Sequence, residues 1–164
     1  MRSLREAFGQ YATGVAVVTA ALPGGGRAGV TVNSFTSVSL DPPLVLWCLS
    51  RRAPSAPAFL AAGRFAVNVL AADQEHLSRR FATPSPDKFA GVETGRGPGG
   101  VPLLAGALAR FTCRTATTYD GGDHLIFVGE VEHFERSDGE PLVFHSGGYR
   151  AFATPERTAT WAGV

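Results

Sequence analysis

Two long extended segments joined by a very short connection constrain the fold of this chain most. Residues 107–119 (ALARFTCRTATTY) and 124–136 (HLIFVGEVEHFER) are rich in β-branched and aromatic residues, and only DGGD separates them. A connection this short, with two glycines, pairs the two strands as antiparallel neighbours. Similar patterns predict strands at 14–22, 28–34, 42–50, 64–71 and 141–146, with the turns PGGGR and SDGE before two of them. Successive hairpins favour a mainly β chain folded as an antiparallel barrel over a parallel α/β sheet.

Short helices interrupt these strands. Helical spacing of apolar residues predicts helices at 3–12, 55–63 and 73–82, the last with Asp73 as its N-terminal cap. The stretch 82–102 is rich in Pro and Gly and predicts a long irregular loop, which is often functional in a compact domain.

The chain has the size of one domain. We expect a single unit over residues 1–154 and a tail over residues 155–164 without clear periodicity. The run 42–50 is apolar on both faces, which indicates a central strand of that unit.

Composition argues against several function classes. Hydrophobic residues make up 45% of the chain and charged residues 18%, which suits one packed core. The net charge of +1 argues against a nucleic-acid partner. No apolar run approaches the roughly 20 residues of a membrane helix, and the first run, 15–22, is too short for a signal peptide. We therefore expect a cytoplasmic protein without a membrane partner.

Cysteine, histidine and glycine patterns give no familiar cofactor motif. We expect Cys48 and Cys113 to be buried, reduced thiols, although the sequence alone leaves a disulfide open. No Cys and His share the spacing of metal ligands, so no metal site is expected. Residues 24–29 and 95–100 match G-x-G-x-x-G, but the first leads into a strand and the second contains Pro98. Neither predicts a dinucleotide-binding turn, which needs a helix after it.

A polar segment between two buried strands is the most unusual feature. Residues 31–39 (TVNSFTSVS) hold five hydroxyls and one amide, and Asp41-Pro42-Pro43 ends the segment sharply. In an extended chain Thr31 and Asn33 point away from Val32 and Ser34, and the backbone edge offers donors and acceptors. Such an edge can hold a planar heterocycle. The alternative is that the hydroxyls only cap their own backbone.

A second polar group follows the run 42–50. Ser50, Arg51, Arg52 and Ser55 bring hydroxyls and guanidinium groups to the end of a strand, where they can bind a phosphate. Lys88 adds a cation in the long loop. The alternative for these residues is a solvated basic turn.

Two further side chains can serve a flat second ligand. His124 begins a predicted strand directly after the DGGD turn, and Tyr149 follows two glycines near the C-terminus. Each can instead be an ordinary structural residue, a strand-start histidine and an edge aromatic.

Taken together, these segments resemble a known family. TGVAVVTA, GVTVNSFTSVSLDPPLVLWCLSRRAPS, FAVNVLAADQEHLSRRFA, DKFAG, GDHLIFVGEVE and SGGYRAF are similar to the short-chain flavin reductases with an FMN-binding split barrel, over roughly residues 5–152. These proteins are the reductase components of two-component flavin monooxygenases. The resemblance implies a six-stranded antiparallel split β-barrel that forms a homodimer. It also implies reduction of FMN or FAD by NADH or NADPH, with hydride passing to the flavin ring, and a separate oxygenase as partner.

The resemblance also assigns roles to residues of this chain. The ring and ribityl chain of the flavin would be held by Thr31, Val32, Asn33, Ser34 and Ser37, with Leu49 beside them, and the phosphate by Ser50, Arg51, Arg52 and Ser55. Phe81 and Lys88 would lie near the outer end of the flavin, and His124 and Tyr149 would position the nicotinamide. A non-catalytic flavin-binding protein and an oxidase that retains its flavin are the alternatives on the same barrel. His124 and Tyr149 favour the reductase, because a storage protein needs no nicotinamide site.

Overall fold

The structure is a computed structural model that describes residues 2–152. Its strands, numbered in chain order, are β1 (Thr13–Gly14), β2 (Ala16–Ala21), β3 (Arg27–Val32), β4 (Thr36–Leu40), β5 (Pro43–Ser50), β6 (Arg64–Val69), β7 (Thr94–Arg96), β8 (Pro102–Leu104), β9 (Ala109–Gly121), β10 (His124–Arg136), β11 (Val143–His145) and β12 (Gly148–Arg150). The α-helices of this part of the chain are α1 (Arg2–Phe8), α2 (Ala56–Ala62) and α3 (Glu75–Ala82). The predicted class, mainly β with short helices, is confirmed.

The main sheet is antiparallel throughout and has the order β3-β2-β6-β9-β10-β5-β4. Its two edges, β3 and β4, are consecutive in the chain and are joined only by residues 33–35. The sheet must therefore curl until its ends approach each other. At this seam the backbone N–H of Cys48 donates to the hydroxyl of Ser34 at 2.9 Å, in place of a strand ladder. The result is a barrel that stays open along one side, as expected of a split barrel.

The described sheet has seven strands where the resemblance implies six. The additional edge strand is β4, within the polar segment. β4 turns into β5 through Asp41 and Pro42, so the sharp end predicted for the segment is confirmed.

Aromatic packing fills the barrel. The ring of Trp47 stacks on Phe127 with centroids 4.6 Å apart, and Phe59 and Phe65 meet Trp47 edge-on at 5.0 and 5.6 Å. Phe59 belongs to α2, so this helix closes one end of the core. Outside the barrel, Phe81 of α3 belongs to a second buried cluster. α3 is therefore anchored beside β3, the strand that borders the seam.

Two predicted helices differ from those observed. α1 ends at Phe8 and not at residue 12, since it buries none of its side chains and Gly9 follows it. Asp73 does not cap α3, because residues 72–74 form a 3₁₀ turn in which the side chain of Gln74 accepts from the backbone of Ala71 at 3.1 Å. Among residues 2–152, no helix combines the length and apolar character needed to cross a bilayer.

One loop prediction and two strand predictions also need correction. The long loop over 82–102 contains a small hairpin of β7 and β8. The segment after SDGE does not return along β10; β11 joins β1 and β12, because backbone bonds from residues 140–142 to residues 70–72 draw it across the molecule. β5 buries Val45, Trp47 and Leu49 but leaves its other face half-exposed, since that face lies on the outside of the barrel. The predicted tail, 155–164, lies outside the described residues.

Candidate functional site

A cavity of about 280 Å³ opens where β3 and β5 meet at the seam. We call it the seam cavity. It brings together seven of the residues singled out from the sequence: Thr31, Val32, Asn33, Ser34, Leu49, Ser50 and His124. β3 is an edge strand, so one side of its backbone has no strand neighbour within residues 2–152. The cavity therefore combines a free strand edge, hydroxyls and an imidazole.

A larger cavity of about 1160 Å³ adjoins the seam cavity and shares Val30 and Ala53 with it. We call it the loop cavity, because residues 81–89 form one of its walls. Of the predicted residues, Ser55, Phe81 and Lys88 line it. The two cavities together suit an elongated ligand with one flat end.

The hydroxyls of the polar segment are partly committed to the backbone. Thr31 Oγ1 donates to the carbonyl of Ser78 on α3 at 2.6 Å, and the Ser34 hydroxyl holds Cys48 across the seam. These two contacts reach the backbone of α3 and β5, so neither matches the alternative in which the hydroxyls cap their own backbone. Asn33 remains exposed at the cavity. Ser37 is exposed on β4 and lines neither cavity.

The two arginines after β5 behave differently, and neither lines a cavity. The guanidinium of Arg51 pairs with Asp120 and donates from Nε to the carbonyl of Gly122 at 2.9 Å. The side chain of Arg52 makes no hydrogen bond within residues 2–152, while its backbone N–H donates to the hydroxyl of Ser50 at 3.3 Å. Arg52 therefore keeps its charge available beside the seam cavity, whereas Arg51 does not.

Lys88 fixes the wall of the loop cavity to the barrel. Its Nζ donates to the carbonyls of Phe81 at 2.8 Å and Gly29 at 3.2 Å. Partial burial lowers the pKa of the Lys88 amine from its ordinary value. The ring of Phe81 lies so close to Gly29 that a Cβ there would sit 2.5 Å from two ring atoms. Only glycine at this point of β3 lets Phe81 form the cavity wall.

His124 is oriented by its neighbour in the chain. It stands opposite Ser50 in the β5–β10 pairing, which places it at the rim of the seam cavity. Its Nδ1 lies 2.7 Å from a carboxylate oxygen of Asp123, and this hydrogen bond lowers the pKa of the Asp123 carboxyl. With Nδ1 held, the other ring nitrogen is available to a ligand. Asp123 was not predicted, although its place next to His124 in the sequence is a usable signal.

Tyr149 does not join His124 around one cavity within this chain. Its hydroxyl lies 2.7 Å from the hydroxyl of the buried Ser78, and the guanidinium of Arg79 lies over its ring at 5.0 Å. The structure thus places Tyr149 against α3, at Ser78, whose backbone carbonyl also accepts from Thr31. No sequence pattern indicates a role for Ser78, because its contact with Thr31 joins residues that are far apart in the chain.

The cysteines are free thiols in the described chain. Cys113 is buried, and this burial raises its pKa to about 12. Cys48 is only half-buried and lines the seam cavity, which corrects the expectation that both are core residues. Between residues 2 and 152, no three His, Cys, Asp or Glu side chains gather as a metal site would require.

Comparison with known proteins gives a family match over residues 8–153, to the model described as "Flavin reductase like domain". The FMN reductase (NADH) SmoA of Agrobacterium fabrum is 49% identical over 93% of this chain and 86% of its own length. The stachydrine N-demethylase reductase subunit of Rhizobium meliloti is 45% identical over 92% of this chain, which spans 65% of that protein. Among solved structures, the NADH:FAD oxidoreductase of Streptomyces globisporus, in complex with NAD and FAD fragments, is 45% identical with a TM-score of 0.88, covering 93% of this chain and 92% of that one.

Proposed function

The chain belongs to the flavin reductase like family, and from this premise we propose that it is an NADH-dependent flavin reductase. It would reduce FMN or FAD and release the reduced flavin to a separate oxygenase. The observation that carries the proposal is that His124 lines the same cavity as the free edge of β3. A protein that only stores flavin has no use for an oriented imidazole there. The name of the Rhizobium meliloti relative, a reductase subunit, supports a separate partner protein that uses the product of the reductase.

The residues present fit a flavin. The free edge of β3 at residues 31–34 offers backbone donors and acceptors that suit the heterocyclic ring. Ser50 and Ser55 line the two cavities and would supply hydroxyls to the phosphate. Lys88 in the loop cavity and Arg52, which follows Ser50 outside both cavities, would supply positive charge. We leave Arg51 out of the phosphate site because its guanidinium is already paired with Asp120.

The chemistry itself would belong to the bound flavin, which accepts a hydride from the nicotinamide. The chain's residues bind and orient. Ser34 holds the two edges of the seam together, and the free edge of β3 would orient the flavin ring. Asp123 keeps Nδ1 of His124 occupied, so Nε2 is the atom that we assign to the nicotinamide carboxamide. We assign Tyr149 a supporting role, through Ser78, for the helix that holds Thr31.

We extend the proposal to a homodimer. The outer faces of β5 and β10 carry Leu44, Leu46, Ile126 and Val128, all half-buried and neighbours in the strand pairing. Leu40 at the edge is 89% exposed. Such a contiguous apolar surface is typical of an interface between subunits. We expect twice the chain mass in solution by light scattering.

We also propose the cytoplasm as the site of action, because NADH is supplied there.

The proposal is tested by the consumption of NADH by purified protein with added FMN, with FAD and with neither. We expect consumption only when flavin is present. Turnover that is absent with both flavins in folded protein would refute the reductase and leave a flavin-binding protein.

The phosphate assignment has its own test. Replacing Arg52 with Ala should weaken FMN binding by about tenfold, the usual effect of losing a charge-assisted hydrogen bond. Riboflavin lacks the phosphate and should bind the variant and the wild type equally. Equal losses for FMN and riboflavin would remove Arg52 from the phosphate site.

A further inference from the structure

Arg51 contacts the turn between β9 and β10 through two hydrogen bonds and one ion pair. Its backbone N–H donates to the carbonyl of Asp123 at 3.0 Å, its Nε donates to the carbonyl of Gly122 at 2.9 Å, and its terminal guanidinium nitrogen pairs with Asp120. Two of these contacts come from the side chain. Arg51 therefore spans the whole connection between the two longest strands.

The turn needs such support because of its own composition. Gly121 and Gly122 are consecutive, and Gly122 adopts φ of +71°. Glycine gives the chain this conformation at little steric cost, but it also leaves the backbone more freedom than any other residue does. The pairing of Gly121 with His124 closes the turn, and the side chain of Arg51 adds restraints from outside it.

The next residues carry this restraint to the seam cavity. His124 follows the turn directly and lines the cavity. Its Nδ1 is bonded to the carboxylate of Asp123. The backbone carbonyl of Asp123 accepts from the backbone N–H of Arg51, a contact that any residue there makes, so the restraint from the Arg51 side chain enters one residue earlier, at the carbonyl of Gly122. The direction of the imidazole thus depends on where the turn lies. Because hydride transfer is sensitive to small displacements of the reacting groups, a loosened turn should impair the reaction.

We propose that Arg51 is a positioning residue that acts through His124, and that it is not a ligand of the flavin phosphate. The inference rests on the proposed function, in which His124 contacts the nicotinamide. It separates two adjacent arginines that look equivalent in the sequence: Arg52 would serve the flavin and Arg51 the nucleotide that reduces it.

The expected effect is moderate. The ion pair between Arg51 and Asp120 is exposed, with 42% and 86% of the side-chain surfaces accessible, and exposed pairs contribute little by themselves. The bond to the carbonyl of Gly122 adds a second restraint. We expect Arg51→Ala to raise the KM for NADH or slow flavin reduction by roughly three- to tenfold, as loss of positioning does.

The first experiment measures the flexibility of the turn by hydrogen exchange, in protein without any ligand. Hydrogen exchange of the peptide containing residues 120–124 should be faster in Arg51→Ala than in wild type. Arg136→Ala is the matched control, because Arg136 is also an exposed arginine of a strand end paired with an aspartate, Asp138, at 3.5 Å. Exchange that is unchanged in Arg51→Ala would overturn the proposal. This readout does not require flavin reductase activity, so it stands even if the proposed function fails.

The second experiment tests the route through His124. As a single substitution, Arg51→Ala should raise the KM for NADH or slow flavin reduction, and should leave the dissociation constants of FMN and riboflavin unchanged. In the His124→Ala background, the same change should have no further effect on flavin reduction. An effect of equal size in both backgrounds would overturn the proposal. So would a larger loss of affinity for FMN than for riboflavin when Arg51 is replaced. Rescue of part of the activity by Arg51→Lys would support it, because lysine can still reach one of the two acceptors.

Discussion

Gly29 of β3 offers a quantitative test of how the loop cavity is built. A Cβ added to Gly29 would lie 2.5 Å from Cδ1 and Cε1 of Phe81 and 3.2 Å from Cζ of Phe89. Carbon atoms pack at about 3.5–4.0 Å, so the ring of Phe81 would have to move by about 1 Å. Phe81 is fully buried and meets Phe89 edge-on at 5.0 Å, which leaves it little room.

We expect Gly29→Ala to destabilise the protein. Overpacking of a core by a methyl group costs about 1–3 kcal/mol, and a Gly to Ala change returns about 0.4–1 kcal/mol by restricting the unfolded chain. The net loss should be about 1–2 kcal/mol, or a fall in Tm of roughly 2–8 °C for a chain of this length. Urea denaturation measures it. FMN should also bind more weakly, because Lys88 joins the carbonyls of Gly29 and Phe81 beside the cavity.

Gly14→Ala is the matched control. Gly14 also lies in a strand, and a Cβ there would have no neighbour within 4 Å. The control should equal or slightly exceed wild type in stability. Replacing Phe81 with Leu should remove most of the cost of Gly29→Ala, which a double-mutant cycle would reveal. The reasoning is refuted if Gly29→Ala is as stable as Gly14→Ala, or if the Phe81 change has no influence on its cost.

Three further changes probe other contacts by urea denaturation. Ser34→Ala should cost about 1 kcal/mol, the usual value of one hydrogen bond, by freeing the backbone N–H of Cys48, and should weaken FMN binding; unchanged binding would contradict the role of the seam. Tyr149→Phe should lower stability by about 1–3 kcal/mol, because the buried Ser78 hydroxyl loses its partner; a raised KM for NADH at unchanged stability would instead place Tyr149 at the nicotinamide. Burial lowers the pKa of the Lys88 amine in the folded chain below its ordinary 10.5. Between the folded and the unfolded pKa, the unfolded chain therefore holds more protons. Stability should therefore rise with pH in this window, and Lys88→Met should flatten the rise.

The local patterns predicted the fold well, because the hairpins that build the barrel depend on neighbouring residues. The DGGD turn joins β9 and β10 as expected, and the PGGGR turn joins β2 and β3. The main error in topology depended on distant contacts. The segment after SDGE is drawn to residues 70–72 by backbone bonds across the molecule, and no pattern within the segment indicates this.

The candidate site shows the same division. Residues 31–34 and His124 could be singled out by residue type and position, and the curled sheet brings them to one cavity. The difference between Arg51 and Arg52 could not be foreseen, since it depends on which side chain faces the carboxylate of Asp120. The position of Tyr149 after two glycines suggests a place beside His124, but the path of β11 and β12 brings it to Ser78 instead.

The most direct test of the proposed function is the anaerobic mixing of protein and FMN with NADH in a stopped-flow instrument. Loss of the oxidised flavin's absorbance reports hydride transfer separately from flavin release. We expect wild-type protein to reduce FMN far faster than NADH does alone. His124→Ala should reduce it more slowly while binding FMN with unchanged affinity. A wild-type rate no faster than the protein-free reaction would contradict the assignment of this chain as a flavin reductase.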